Sequence, residues 1–193
     1  SDCMPQSCGN GLNIVYPFWI PGRQESYCGS PTFNITCRDK NPILKISDDD
    51  YIIRDIFYMN NSLLLSQAEL YDVGNRCPTP QHNFSTGGTP FCYGPEIVDL
   101  FFFYNCTEPY QEETYAVDCA SNVTHHAFAT FHTEHLDHWN YSEQSCQAPV
   151  SAPITTARLE MLLSMNYTDV FKKGFILQWD GDSGSQCRRS EGQ

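Results

Sequence analysis

The sequence predicts a mainly β, disulfide-rich fold: two small β-rich modules, with one short helix in the second. Three observations carry that expectation. Ten cysteines are spread along 193 residues, even in number and without a CxxC pair, so they read as a disulfide framework and not as a zinc ribbon or redox motif. Short runs rich in β-branched and aromatic residues alternate with turn chemistry. One stretch alone, 155–165, spaces its leucines as a helix face does.

The elements follow in order. "LNIVYPFWI" (12–20), "TFNITC" (32–37), "ILKI" (43–46), "YIIRDIFYM" (51–59) and "SLLLSQAEL" (62–70) read as strands. "PGRQ", "GSP", "RDKNP", "SDDD" and "NNS" separate them as turns. Pro17 cannot donate to a ladder, which makes the first run an edge or bulged strand. Residues 75–95 form a loop rich in cysteine and proline. "VDLFFFYNC" (98–106) reads as a buried strand whose consecutive aromatics face both ways. The polar stretch "TEPYQEE" sets a boundary, giving modules 1–107 and 108–193. In the second, "TYAVDC" (114–119) and "HAFATFH" (126–132) are candidate strands. "TTARLEMLLSM" (155–165), with Leu159, Leu162 and Leu163, is the expected helix. "DVFKKG" closes it with basic residues and glycine, and "FILQW" (175–179) is a last strand.

The cysteines are Cys3, Cys8, Cys28, Cys37, Cys77, Cys92, Cys106, Cys119, Cys146 and Cys187. Disulfides persist in oxidising compartments. Sequons at Asn34, Asn60, Asn83, Asn105, Asn122, Asn140 and Asn166 agree with a eukaryotic secretory product. The expected location is the extracellular side of the plasma membrane. No apolar run approaches the roughly 20 residues of a membrane helix, and the first cysteine comes at position 3, as in a mature ectodomain. Any membrane contact would run through a segment outside this sequence. The net charge is −12, and both halves are acidic. Nucleic acid is therefore excluded as a partner, because phosphate binding needs clustered cations.

No nucleophile–base pair, phosphate loop or cofactor fingerprint occurs, so the chain reads as a non-enzyme. "DGDSG" (180–184) lacks the histidine and aspartate that a serine nucleophile needs and reads as a polar turn. His132, His135 and His138 would meet on one side only of a helical turn; they read as groups that titrate in a mildly acidic space. "SDDDY" (47–51) lacks the spacing of an EF-hand loop, though calcium stays open as the one candidate cofactor. Arg38, Lys40 and Lys45 are the basic cluster of the first half and the candidate ligand-binding residues. Trp19, Trp139 and Trp179 read as core before they read as sugar platforms.

Cys8-Gly9 followed by "IVYPFWI", then "YCGSPTFNITC" (27–37), "YIIRDI" and "NRCP" (75–78), resembles the galacturonan-binding module of plant wall-associated receptor kinases. "SCQAPVSAPI" (145–154) and "KKGFILQWD" (172–180) resemble the companion C-terminal module. The Phe-Trp form of the first motif is similar to the leaf-rust-resistance-locus branch. The resemblance implies an extracellular ligand-sensing region of a receptor whose serine/threonine kinase lies beyond a membrane helix. Three roles follow as expectations: sensing a protein or peptide, with or without a co-receptor; binding a pectic oligosaccharide; or tethering the wall. A polyanion meets a chain of charge −12, so electrostatics leans toward a protein or peptide ligand.

Overall fold

A computed structural model describes residues 3–109, 114–132, 145–182, 184 and 186–187. Two compact units are present. The first combines Ser1–Ala68, Ser85–Gly94 and Phe175–Gln193; the second combines Glu69–Phe84 and Pro95–Gly174. The expected boundary at 107 divides the chain linearly, whereas these units interleave along it.

The first unit is a six-stranded antiparallel sheet. Its strands are β1 (Thr36–Arg38), β2 (Asn41–Ile46), β3 (Asp49–Phe57), β4 (Ser62–Gln67), β5 (Phe91–Tyr93) and β10 (Phe175–Trp179), in the order β1-β2-β3-β4-β10-β5. Two tight hairpins build one end. Asp39 and Lys40, at φ 51° and 66°, turn β1 into β2; Ser47 and Asp48, at 52° and 68°, turn β2 into β3. Two successive left-handed residues match the twist of the flanking strands, and Asp and Ser tolerate that region better than branched residues do. The turn expected at "SDDD" is therefore a hairpin turn at Ser47 and Asp48, with Asp49 and Asp50 already in β3.

The run 12–20 does not form the expected strand. It makes isolated bridges only, Gln6 with Ile14 and Trp19 with Asn34. Pro17 and Pro21 remove donors, and the buried Gln24 takes over what a ladder would have satisfied. Its side chain accepts from the Ile20 amide at 2.8 Å and donates to the Ile14 carbonyl at 3.1 Å. Unpaired buried backbone is costly, so this one glutamine lets an irregular segment lie inside. Phe18, fully buried, packs against Phe33 and Trp179 at ring-centroid distances of 5.2 Å each. Disulfides Cys3–Cys28, Cys8–Cys37 and Cys92–Cys187 staple this unit.

Gly29 fixes how closely that segment folds. A Cβ there would lie 2.7 Å from the Pro17 carbonyl oxygen and collide with the Trp19 ring. The ring cannot step aside freely, since its indole N–H donates to the Ser30 carbonyl at 2.8 Å. Gly29→Ala is expected to destabilise by about 1–3 kcal/mol through overpacking. A urea midpoint equal to the parent's would refute that close approach.

The second unit is a four-stranded antiparallel sheet in the order β7-β8-β6-β9: β6 (Ile97–Cys106), β7 (Tyr115–Ala116), β8 (His126–Thr130) and β9 (Val150–Thr155). The aromatics of β6 do face both ways, and both faces are covered. Leu100 and Phe102 join Val117, Ala127, Ile154, Val170 and Phe171 on one side. Phe103 stacks on Phe128 on the other, with Cys106 buried beside them. Disulfides Cys77–Cys119 and Cys106–Cys146 close the unit, so all ten cysteines are paired. The Tyr115 hydroxyl donates to the Leu162 carbonyl at 2.8 Å, and burial pushes its pKa up to about 12.

The helix lies later than expected. Residues 150–155 are strand β9, and Leu159–Met161 is only a single 3-10 turn. Helix α1 spans Tyr167–Lys173. The Asn166 side-chain oxygen accepts from the Asp169 amide at 2.8 Å, an N-cap. Lys172, Lys173 and Gly174 end the helix as the sequence indicates, with Gly174 at φ 73°.

Candidate functional site

Among the described residues, two concavities of the first unit bear on function. The smaller, about 260 Å³, is floored and walled by β1, β2 and β3. Alternation along these strands sets its chemistry. Thr36 and Arg38, Ile43 and Lys45, and Asp50 and Ile52 point to one face. The register then sets Ile43 opposite Ile52 and Lys45 opposite Asp50. Ile43, Ile52 and Ala68 form a small apolar cluster under it. Arg38 bonds the Asp50 carboxylate at 2.5 Å with both side chains partly exposed, a contact worth roughly 0–1 kcal/mol. Lys45 makes no ion pair among the described residues and is exposed. The pocket therefore carries two cations and one carboxylate, a local excess of positive charge in an acidic chain.

Of the three expected basic residues, Arg38 and Lys45 come together. Lys40 does not join them: it sits in the β1–β2 turn, its side chain against Gly9. Asp50 is the member that sequence reasoning missed. Its cross-strand position follows from the hairpin register, a signal present in "ILKISDDDY" but usable only once the two-residue turn is known. Asn34 lines the same pocket.

The larger concavity, about 410 Å³, has aromatic walls. Tyr16, Phe33, Tyr58 and Trp179 line it, with Asp180 and Asp182 beside them. Trp179 is only 3% exposed, so the core reading of this tryptophan holds, while one edge still reaches the cleft. The Tyr58 hydroxyl donates to the Asn13 carbonyl at 2.8 Å and accepts from the Val15 amide at 3.1 Å. Burial raises its pKa, partly offset by the Val15 bond.

Asn34, Asn60, Asn83, Asn105, Asn122 and Asn166 are all exposed. In Asn83, Asn122 and Asn166 the side-chain oxygen accepts backbone amides, while the nitrogen is the atom that a glycan would occupy. Asn140, Trp139, His135, His138 and Ser183 lie outside the described residues. Among the described residues no three His, Cys, Asp or Glu side chains converge to hold a metal. No helix among them is long and apolar enough to cross a membrane.

Residues 3–67 match the family model described as wall-associated receptor kinase galacturonan-binding. Every residue of the basic pocket falls within that span. The chain is 34% identical, over 99% of its length, to the Arabidopsis thaliana leaf rust 10 disease-resistance locus receptor-like protein kinase-like 1.2, of which it covers 30%. It is 26% identical, over 98% of its length, to the kinase-like 2.1 of the same plant and covers 31% of it. It is also 25% identical, over 97% of its length, to a protein named as RING-H2 finger protein ATL21A, covering 49%. The chain thus spans about a third to a half of these relatives. No solved structure matches it. Residues 3–67 are therefore a domain of the wall-associated receptor kinase galacturonan-binding family, and the chain is a homologue, along nearly its whole length, of the leaf rust 10 disease-resistance locus receptor-like kinases.

Proposed function

We propose that this chain is the extracellular ligand-sensing region of a plant receptor-like kinase, and that a pectic oligosaccharide docks at the Arg38–Lys45 pocket. One observation carries the reading: the two cations converge on one sheet face inside the galacturonan-binding family match. In this reading a galacturonate carboxylate takes a charge-assisted hydrogen bond from Lys45. Its ring lies over Ile43, and Arg38 is shared with Asp50. Recognition needs no bond chemistry; a cross-linked scaffold presents the groups. A kinase would lie in a part of the protein outside this sequence.

Calorimetric titration with defined oligogalacturonides at mildly acidic pH tests the reading, with calcium and then with a chelator. Lys45→Ala is expected to weaken binding about tenfold or more, the usual weight of a charge-assisted bond. Asp50→Asn is expected to tighten it, because it frees the Arg38 guanidinium. Absence of saturable heat with the parent chain would sink direct pectin sensing. A second reading, a protein or peptide ligand, draws on the net charge of −12, which repels polyanions at long range. Added salt separates the two. A glycan on Asn34 would stand at the pocket's rim, so Asn34→Gln is expected to speed oligogalacturonide association.

A further inference from the structure

The aromatic cleft offers a recognition chemistry opposite to that of the basic pocket. Two carboxylates, Asp180 and Asp182, line it, and no lysine or arginine does among its described residues. Tyr16 is 61% exposed although its neighbours Pro17 and Phe18 are buried. Folding does not require that large ring to stand in water.

The walls are fixed in place. The Trp179 amide donates to the Asn61 carbonyl at 2.9 Å. Its ring packs edge-on against Phe18 and Phe33. The Tyr58 hydroxyl is held by two backbone groups. Asp180 accepts from the Cys187 amide at 2.7 Å through one oxygen. At Gly181 a Cβ would lie 2.6 Å from the Asn61 side-chain nitrogen, so glycine lets the chain turn closely at the rim.

A galacturonate carboxylate would meet two like charges here. An ammonium or guanidinium would instead meet aromatic faces, whose quadrupole attracts cations, and carboxylates that accept its N–H groups. The volume lies in the range of small-ligand sites. The acidic chain would draw such a ligand in from a distance.

We propose that this cleft binds an arginine or lysine side chain of an extracellular peptide, held between the Tyr16 and Tyr58 rings and the Asp180 and Asp182 carboxylates. The proposal is independent of pectin binding at Lys45.

The test uses the glycosylated 193-residue chain and three probes: the capped peptide acetyl-Gly-Arg-Gly-amide, its glutamine counterpart, and cellobiose. Saturation-transfer NMR reads weak binding of each. The arginine probe is expected to saturate, with the glutamine probe about tenfold weaker. Asp182→Asn and Tyr16→Ala, both at exposed positions, should each weaken the arginine probe several-fold. Asp72→Asn, an equal change of charge outside the cleft, should leave it unchanged. Equal binding of both peptides would overturn the proposal. So would loss in the Asp72 variant as large as in the Asp182 variant, which would mark diffuse attraction. Saturation by cellobiose alone would assign the cleft to a neutral sugar, and no saturable signal from any probe would leave it without a ligand role.

Discussion

Phe18→Ala lowers the stability of the first unit by about 3–5 kcal/mol, the usual cost of deleting a fully buried phenylalanine. The site explains why the upper half of that range is expected. Phe18 is 0% exposed and touches rings from three separate stretches of chain: Phe33, Phe91 and Trp179. Its contacts with Phe33 and Trp179 are edge-to-face, at interplanar angles of 77° and 90°. Such pairs add about 0.5–1.5 kcal/mol each beyond burial. The segments cannot close over the void easily, because disulfides hold Cys8 to Cys37 and Cys92 to Cys187. Urea unfolding followed by tryptophan fluorescence reads the loss. Met59→Ala, at a position 97% exposed, serves as the control and should shift by less than about 0.5 kcal/mol. A Phe18 variant as stable as that control would show that the aromatic cluster is not the centre of the first unit.

The same cluster shows why part of the fold was legible in the sequence and part was not. Alternation or sustained apolar runs located β2, β3, β4, β6, β8 and β10, since each strand is long enough to show a pattern. Apolar density alone misread 12–20. A buried irregular segment and a buried strand look alike when proline is the one mark against the ladder, and the decisive residue, Gln24, lies outside the run. The helix was misplaced for a related reason. Leu159, Leu162 and Leu163 have helical spacing, but strand β9 runs up to Thr155, and the cap that starts α1 is Asn166. Pro153 within β9 is tolerated because β9 is an edge strand. Sheet order was out of reach. That β10 pairs with β4 and β5 is a choice among distant partners, which no local pattern states. The basic pocket was readable as three nearby cations, less Lys40, because its residues are close in sequence. The aromatic cleft was not, because Tyr16, Tyr58 and Asp182 come from three distant places in the chain.

Replacing Cys92 and Cys187 together with alanine is expected to cost about 4 kcal/mol. The bridge closes the longest loop in the protein, a separation of 95 residues. Chain entropy assigns roughly 4.7 kcal/mol to a free loop of that order. The Cys106–Cys146 bridge lies inside it and shortens the effective loop. The cost depends only on the logarithm of length, so it falls by a few tenths of a kcal/mol. Little in the native state substitutes for the bond. Strand β5 is three residues long and pairs with β10 alone, Tyr93 with Leu177, Cys92 with Gln178 and Phe91 with Trp179. Urea unfolding separates this mechanism from lost packing. A less constrained unfolded chain exposes more surface, so the m-value should rise while the midpoint falls. A lower midpoint with an unchanged m-value would assign the loss to the packing around Cys92. The consequence then reaches the cleft. The Cys187 amide orients Asp180, so freeing residue 187 loosens one of the two carboxylates. If the cleft holds a guanidinium, the arginine peptide should bind this variant more weakly even in buffer where its sheet remains folded.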